Sequence, residues 1–349
     1  MPQYGQVHAA FVPQWEFTGM KSNNHIAADL TVDLCCAPAD PWHLTPAQRQ
    51  QARELLALYT ADLGLPPDFG QFLAAGARDL VRADHWQEME SLSRLLDLPM
   101  RDVVLCNLYY DALKVILGRV FGCTAFAIDT PVAVLHARNL DWWTENSALA
   151  RYTATSYFAN VPAGDFKTVG WPGFMGVFSA VAPGRFAVTL NAVLSLESAQ
   201  LATPVVLLIR TAFEEARTFS EALARLSDAP LPCDCLLLLT GVRPGELVVI
   251  ERTPSRCALR HPKDGYAGLG AGRSELLDTW CQRFERVQAL ISDKRPSDPE
   301  DCFRYLSDPQ VRMHMTVQQM VFCAATGEHW LRFPDPTPPS ATRSVPLPV

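Results

Sequence analysis

The sequence predicts an α+β chain in which helices come first and β-hairpins follow. Two observations carry this. Between Thr45 and Leu117 the apolar residues fall at helical spacing, between helix start and stop signals. Beyond Cys123, short apolar runs alternate with Pro- and Gly-containing turns. Composition supports a packed core: the 349 residues are 48% hydrophobic and 19% charged. The length allows two domains or one large layered unit.

The elements read in order as follows. Residues 1–28 are polar and aperiodic, a loose arm. Thr45 to Leu63 is a helix, with Thr45 as N-cap, Pro46 at the first helical position and Gly64 past the end. Phe69 to Leu96 is one or two helices, broken near Gly76. The apolar stretch Val103 to Cys123 is interrupted by Asp111, Lys114 and Arg119 too often for a membrane span, and Asp102 to Leu117 within this region is read as a buried helix. Cys123–Ile128 and Val132–Leu140 are strands around Asp129-Thr130-Pro131. Met175–Ala182 and Phe186–Leu194 form a hairpin at Pro183-Gly184. Pro204–Thr218 and Ser220–Leu226 are helices. Leu236–Thr240 and Leu247–Glu251 pair around Arg243-Pro244-Gly245. Glu275–Ile291 and Pro299–Leu306 are helices, and Val317–Ala325 and His329–Phe333 are strands around Thr326-Gly327. The segment from Pro334 is Pro-rich, so 336–349 is read as an unpacked tail.

Charge and cysteines narrow the function. A net charge of −7 offers no basic face for nucleic acid. Among the 10 cysteines, Cys35-Cys36 and Cys233-Asp234-Cys235 lack the spacing of paired zinc motifs. Buried thiols are the default, and no metal or organic cofactor is implied. Met1 to Ala10 shows no basic region followed by an apolar stretch, so no signal peptide is read, and the chain is placed in the cytoplasm.

One stretch carries chemistry. Phe121-Gly122-Cys123-Thr124 precedes a strand, a turn and a second strand ending His136-Ala137-Arg138-Asn139-Leu140-Asp141-Trp142-Trp143. Cutting the Gly122–Cys123 bond would give Cys123 both a thiol and an α-amine, a nucleophile with its own base. Gly122 leaves the scissile carbonyl open to the thiol. Arg138 would stabilise the thiolate, and Asp141 would hold the amine. Both are expected to matter for chemistry more than for fold. A lone cysteine on an apolar strand is more often a small core residue. His136 reads as a satisfied structural histidine rather than a base.

The pattern Cys123-Thr124 followed by His136-x-Arg138-Asn139-x-Asp141 resembles the signature of acid ceramidases and N-acylethanolamine-hydrolysing acid amidases. Its spacing is one residue shorter than in that family, within the turn. Thr31-Val32-Asp33-Leu34, Asn107-Leu108-Tyr109-Tyr110, Pro183-Gly184-Arg185-Phe186 and Thr189-Leu190-Asn191 extend the likeness, over about residues 29 to 335. The resemblance implies the N-terminal nucleophile hydrolase fold: four layers, αββα, with two stacked antiparallel sheets between helical layers. It divides the chain into a helical segment 29–122 and a catalytic core 123–335. Two positions depart from the pattern. Ala192 stands where the family has an acidic residue, and Ala271 falls where it has an oxyanion-binding Asn.

The resemblance assigns Cys123, Arg138, Asp141, Asn191 and Arg283 to catalysis. Asn191 is expected on a strand beside that of Cys123. It supplies one oxyanion donor, with a backbone N–H of the Gly270–Gly272 run as another. Trp142 and Trp143 line an acyl pocket or fill the core, and Trp171, Phe174 and Gly270 join the substrate-binding set. The activity implied is self-processing followed by hydrolysis of a linear acyl amide, such as an N-acylethanolamine or ceramide-like compound, through a thioester. An acyltransferase and a non-catalytic scaffold of the same fold are the rivals. The implied partners are the acyl amide and the two self-cleaved fragments for each other, and a transient membrane-surface contact is allowed.

Overall fold

The computed structural model describes residues 28–36, 40–63, 67–117, 123–142, 148–193, 197–261, 266–269 and 281–334. The first part of the chain holds β1 (Ala28–Asp33), β2 (Trp42–His43), α1 (Pro46–Leu63), α2 (Pro67–Ala77), α3 (Ala83–Leu96), α4 (Met100–Asn107) and α5 (Tyr109–Leu117). Then come β3 (Thr124–Asp129), β4 (Val134–Asp141), α6 (Ala148–Arg151), β5 (Ala154–Ala159), β6 (Phe166–Gly170), β7 (Ser179–Ala182) and β8 (Phe186–Ala192). The last part holds α7 (Val205–Glu215), α8 (Phe219–Asp228), β9 (Cys235–Thr240), β10 (Leu247–Arg252), β11 (Cys257–Arg260), β12 (Tyr266–Leu269), α9 (Gln282–Asp293), α10 (Pro299–Leu306), β13 (Thr316–Cys323) and β14 (Glu328–Arg332).

The strands form two sheets. The larger has nine strands in the order β11-β10-β9-β8-β7-β6-β5-β1-β2, the smaller five in the order β12-β3-β4-β13-β14. Alternation of side chains assigns each face. On β3, Ala125 and Ala127 pack with Leu236 and Leu238 of β9 between the sheets. Phe126 and Ile128 pack outward with Val287 and Ile291 of α9 and with Cys302, Phe303 and Leu306 of α10. The far face of the large sheet packs on the earlier helices and on α7, where Phe213 meets Phe186 at 4.7 Å and Phe166 at 5.1 Å between ring centroids. Helices, large sheet, small sheet and helices make four layers, an αββα sandwich.

One pairing departs from the expected antiparallel sheets. β1 runs parallel to β5, with Ala28 opposite Ala154 and Asp33 opposite Ala159. Parallel neighbours need a long crossover, and α1–α5, β3 and β4 intervene between these two strands. Asp33 accepts from Asn160 Nδ2 at 2.7 Å beyond the end of β5.

Local signals explain several boundaries. Thr45 Oγ1 accepts from Gln48 N at 3.3 Å and Gln48 Oε1 accepts from Thr45 N at 2.8 Å, a reciprocal cap that starts α1. Gly184 has φ of +69° in the β7–β8 turn, a conformation glycine adopts without strain. The stretch 102–117 is two helices rather than one. Asn107 Nδ2 donates to Val103 O at 3.0 Å and to Gly173 O at 3.4 Å, while its Oδ1 accepts from Met175 N at 2.7 Å. That side chain ties the break to the loop after β6. Among the described residues no helix is long and apolar enough to cross a membrane, and nine cysteines, Cys123 among them, are free thiols.

Candidate active site

Cys123 immediately precedes β3 at one end of the sandwich and is half-buried. The β3–β4 register sets Thr124 opposite Asn139 and Ala125 opposite Arg138. Cys123 therefore shares a face with Ala125, diagonal to Arg138. Thr130 fixes this register by closing the turn: its N and its Oγ1 both donate to Ala133 O, at 2.9 and 2.7 Å.

Arg138 is buried, 1% exposed, and points from the small sheet into the large one. Its NH2 group donates to Cys123 Sγ at 3.4 Å and also to Leu190 O. Its NH1 group donates to Phe178 O at 2.7 Å and to Ser179 Oγ. One guanidinium thus brings positive charge to the sulfur while its other donors grip β7 and β8. His136, one pleat earlier on the same face, meets Thr189 Oγ1 at 2.8 Å and Thr240 Oγ1 at 3.0 Å. Burial, helped by the Arg138 charge, lowers the His136 imidazole to about 3, so it is neutral and structural.

Asp141 ends β4 on the opposite face and is fully buried. Thr316 Oγ1 donates to its Oδ1 at 2.5 Å, and Arg283 NH1 donates to its Oδ2 at 2.6 Å. Burial pushes the carboxyl above its ordinary range, against the pull of Thr316, Arg283 and Arg138. Burial works against the Arg283 charge too, but Asp141, Cys281 and Cys123 outweigh it and hold the guanidinium above its ordinary value. Arg283 is therefore an ion-pair partner at the site and not a solvated helical charge.

Asn191 lies near the end of β8, next to Leu190, whose carbonyl receives Arg138. Its strand neighbours that of Cys123 across the sandwich and not by strand pairing. β8 pairs with β7 and β9 in the large sheet, whereas β3 pairs with β4 and β12 in the small one. Asn191 approaches from across the sandwich because the second sheet stacks on the first rather than extending it.

A narrow aromatic pocket sits beside these groups. Tyr59, Cys106, Tyr109, Tyr110, Trp142, Trp171, Phe174 and Phe178 line it, leaving space for about one water molecule. Trp142 packs against Phe178 and Tyr109 with centroids 5.5 and 6.0 Å apart. Trp171 Nε1 donates to Leu149 O at 2.8 Å, which fixes that wall. Trp142, Trp171 and Phe174 are therefore brought together; Gly122, Trp143, Gly270 and Ala271 lie outside the described residues. Sequence reasoning did not find Tyr110, Phe178, Ser179 or Thr316. Their roles rest on contacts between distant segments, with no local signal.

The layers and topology define the class: a four-layer αββα protein of the N-terminal nucleophile hydrolase fold. No protein-family model matches the chain. The N-acylethanolamine-hydrolyzing acid amidase of Cavia porcellus is 25% identical over 277 residues, covering 74% of this chain and 76% of that protein. The acid ceramidase of Homo sapiens is 23% identical over 285 residues, covering 72% and 70%. Among solved structures, the Caenorhabditis elegans N-acylethanolamine-hydrolyzing acid amidase ortholog superposes with a TM-score of 0.52 at 20% identity, over 60% of this chain and 99% of that one. The chain is a relative of the acid amidases and acid ceramidases.

Proposed function

We propose that this chain is a hydrolase acting on carbon–nitrogen bonds of linear amides, a self-processing amidase whose nucleophile is Cys123. The Cys123 thiol first attacks the Gly122 carbonyl. The Gly122–Cys123 amide bond breaks, which frees the α-amine and leaves Gly122 as a thioester on the sulfur, and water hydrolyses that thioester to the Gly122 carboxylate and the free thiol. In turnover the thiol adds to an acyl amide carbonyl, and its proton passes through the α-amine to the leaving amine. The carbon–nitrogen bond breaks and a thioester forms. Water then releases the acid and restores the thiol. Arg138 supplies charge at the sulfur, Asp141 with Arg283 and Thr316 positions the amine, and Asn191 contributes an oxyanion donor.

The observation that carries this reading is the Arg138 guanidinium at 3.4 Å from Cys123 Sγ, in a chain related to acid amidases and acid ceramidases. The aromatic pocket favours an apolar acyl group, as in an N-acylethanolamine or a ceramide-like amide. Such a chain must part the rings to enter.

The test is intact mass spectrometry after incubation at neutral and acidic pH. Wild type should give fragments 1–122 and 123–349 that stay associated, and Cys123→Ala should stay whole. A wild-type chain that remains uncut overturns self-processing. A cut chain that hydrolyses neither N-acylethanolamines nor ceramides of varied acyl length overturns the substrate class.

A further inference from the structure

Buried polar atoms without a hydrogen-bond partner gather on the site residues Arg138 (Nε) and Asn191 (Oδ1), on Thr124 (Oγ1), which follows Cys123 in the chain, and on Tyr110 (Oη) and Asp111 (Oδ2) of α5. Most buried polar groups in folded proteins are paired, so such a gathering needs a reason. Tyr110 is the informative member. It is 4% exposed and lines the aromatic pocket. A phenylalanine would fill the same space without burying an unpaired hydroxyl.

Its position is well fixed. The Tyr110 ring meets Phe178 edge-on at 5.6 Å between centroids, and the Phe178 carbonyl is held by Arg138. One turn further along α5, Lys114 Nζ donates to Val193 O at 2.6 Å and also to Asp234 O. This clamps the Tyr110 face of α5 against the end of β8, two residues past Asn191. The Tyr110 ring is thus held in the pocket wall, against Phe178, whose carbonyl Arg138 grips.

We propose that Tyr110 is a catalytic residue of this site, its hydroxyl donating a hydrogen bond to the acyl carbonyl oxygen of the amide as the Cys123 thiol adds to that carbon. The assignment rests on the amidase reading and adds a group from the segment that precedes Gly122. The bond strengthens as the carbonyl oxygen gains negative charge, so it favours the tetrahedral state over the bound amide. The phenol keeps its proton throughout. Burial pushes it well above its ordinary range, and negative charge on Cys233, Cys235, Asp111 or Cys123 pushes it the same way.

The experiment compares wild type with Tyr110→Phe. Acylation of Cys123 by p-nitrophenyl octanoate passes through an oxyanion; alkylation by iodoacetamide does not. Both are read at the Cys123 peptide by mass spectrometry, per mole of cleaved chain. Acylation should fall about 100-fold in Tyr110→Phe, the scale of losing one oxyanion donor, with alkylation and thermal midpoint unchanged. A variant that alkylates normally but no longer cuts itself also supports the assignment, because self-cleavage passes through the same kind of oxyanion. If wild type acylates and Tyr110→Phe acylates as fast, the Tyr110 assignment is overturned and the amidase reading stands. Equal loss of acylation and alkylation places the effect on the thiol and overturns it as well. A wild type that does not acylate overturns both.

Discussion

Arg138 and Leu190 join the two sheets of the sandwich: a guanidinium rooted on β4 donates to a backbone carbonyl on β8, and the same NH2 group reaches Cys123 Sγ. The contact is structural and chemical at once. Whatever holds β8 to β4 at this point also aims positive charge at the sulfur.

Arg138→Ala should therefore damage both turnover and fold, more than a purely chemical role implies. It removes the Arg138 donors from Leu190 O and Ser179 Oγ and leaves Phe178 O with only Leu190 N, at 2.9 Å, in a buried place. The expected destabilisation is about 2–5 kcal/mol, the scale of a core Leu→Ala change. Turnover should fall at least about 100-fold. Arg138→Lys should recover little, because one ammonium cannot span the same acceptors. Urea unfolding in a Cys123→Ala background separates stability from processing. Wild-type stability in that measurement would reject the cross-sheet role.

A second expectation concerns the ion network between α3 and α7. Arg210 is buried, 1% exposed; its NH1 and NH2 bond Glu88 at 2.8 and 2.6 Å, and its Nε bonds Glu214 at 2.7 Å. His85 Nε2 lies 2.9 Å from Glu214, and Trp42 Nε1 donates to Glu88 at 2.7 Å. Arg210→Ala should cost about 3–5 kcal/mol because it takes the guanidinium from buried Glu88 and leaves buried Glu214 with Arg82, at 3.0 Å, in place of two arginines. Replacing Glu88, Arg210 and Glu214 together with Gln, Met and Gln should cost much less. Chemical denaturation of the three proteins checks the order. A triple variant as unstable as Arg210→Ala would show that shape, not charge pairing, governs this contact.

The third expectation is a pH dependence. Burial raises the Asp111 carboxyl to about 6, although Val205 N donates to its Oδ1 at 3.1 Å. A raised folded-state value means the native chain holds this proton more tightly than the unfolded one. The favourable contribution is present below about pH 4 and is lost as pH rises through about 6. Asp111→Asn removes the titration and keeps an acceptor for Val205. Relative to wild type, the variant should gain on the order of 2–3 kcal/mol between pH 4 and pH 6.5. Stability curves at several pH values test this. A wild-type-minus-variant difference that is flat with pH would place the Asp111 proton elsewhere.

The parts of this molecule legible in its sequence were those that local chemistry decides. Thr45 and Gln48 cap α1 three residues apart, Gly184 makes the β7–β8 turn, and β3 and β4 place Arg138 near Cys123 through a short hairpin. What stayed hidden depends on distant chain. β5 and β6 gave no clear reading, and β5 is completed by β1 from the far N-terminal side. Thr316 and Arg283 reach Asp141 from segments over a hundred residues away. Leu108 falls between helices because Asn107 bonds the loop carrying Gly173 and Met175, a contact no helical pattern announces. The same applies to Met175–Phe178, read as strand: Val177 N donates to Val206 O at 3.0 Å, so only Ser179–Ala182 joins the sheet.

The seating of β1 between β2 and β5 carries a further consequence for how the protein comes into being. β1 cannot take its place in the large sheet until the chain has been made past Ala159, since Asp33 pairs there. Such a long-range closure is slow and comes late in folding. A cut after Gly122 would remove the covalent tether across that closure while leaving every strand in place. From then on, a molecule that unfolds could return only by meeting its other half. Recovery after heat or urea would become bimolecular, fast in concentrated solution and failing on dilution, so the lifetime of the mature protein would be set by its rate of opening.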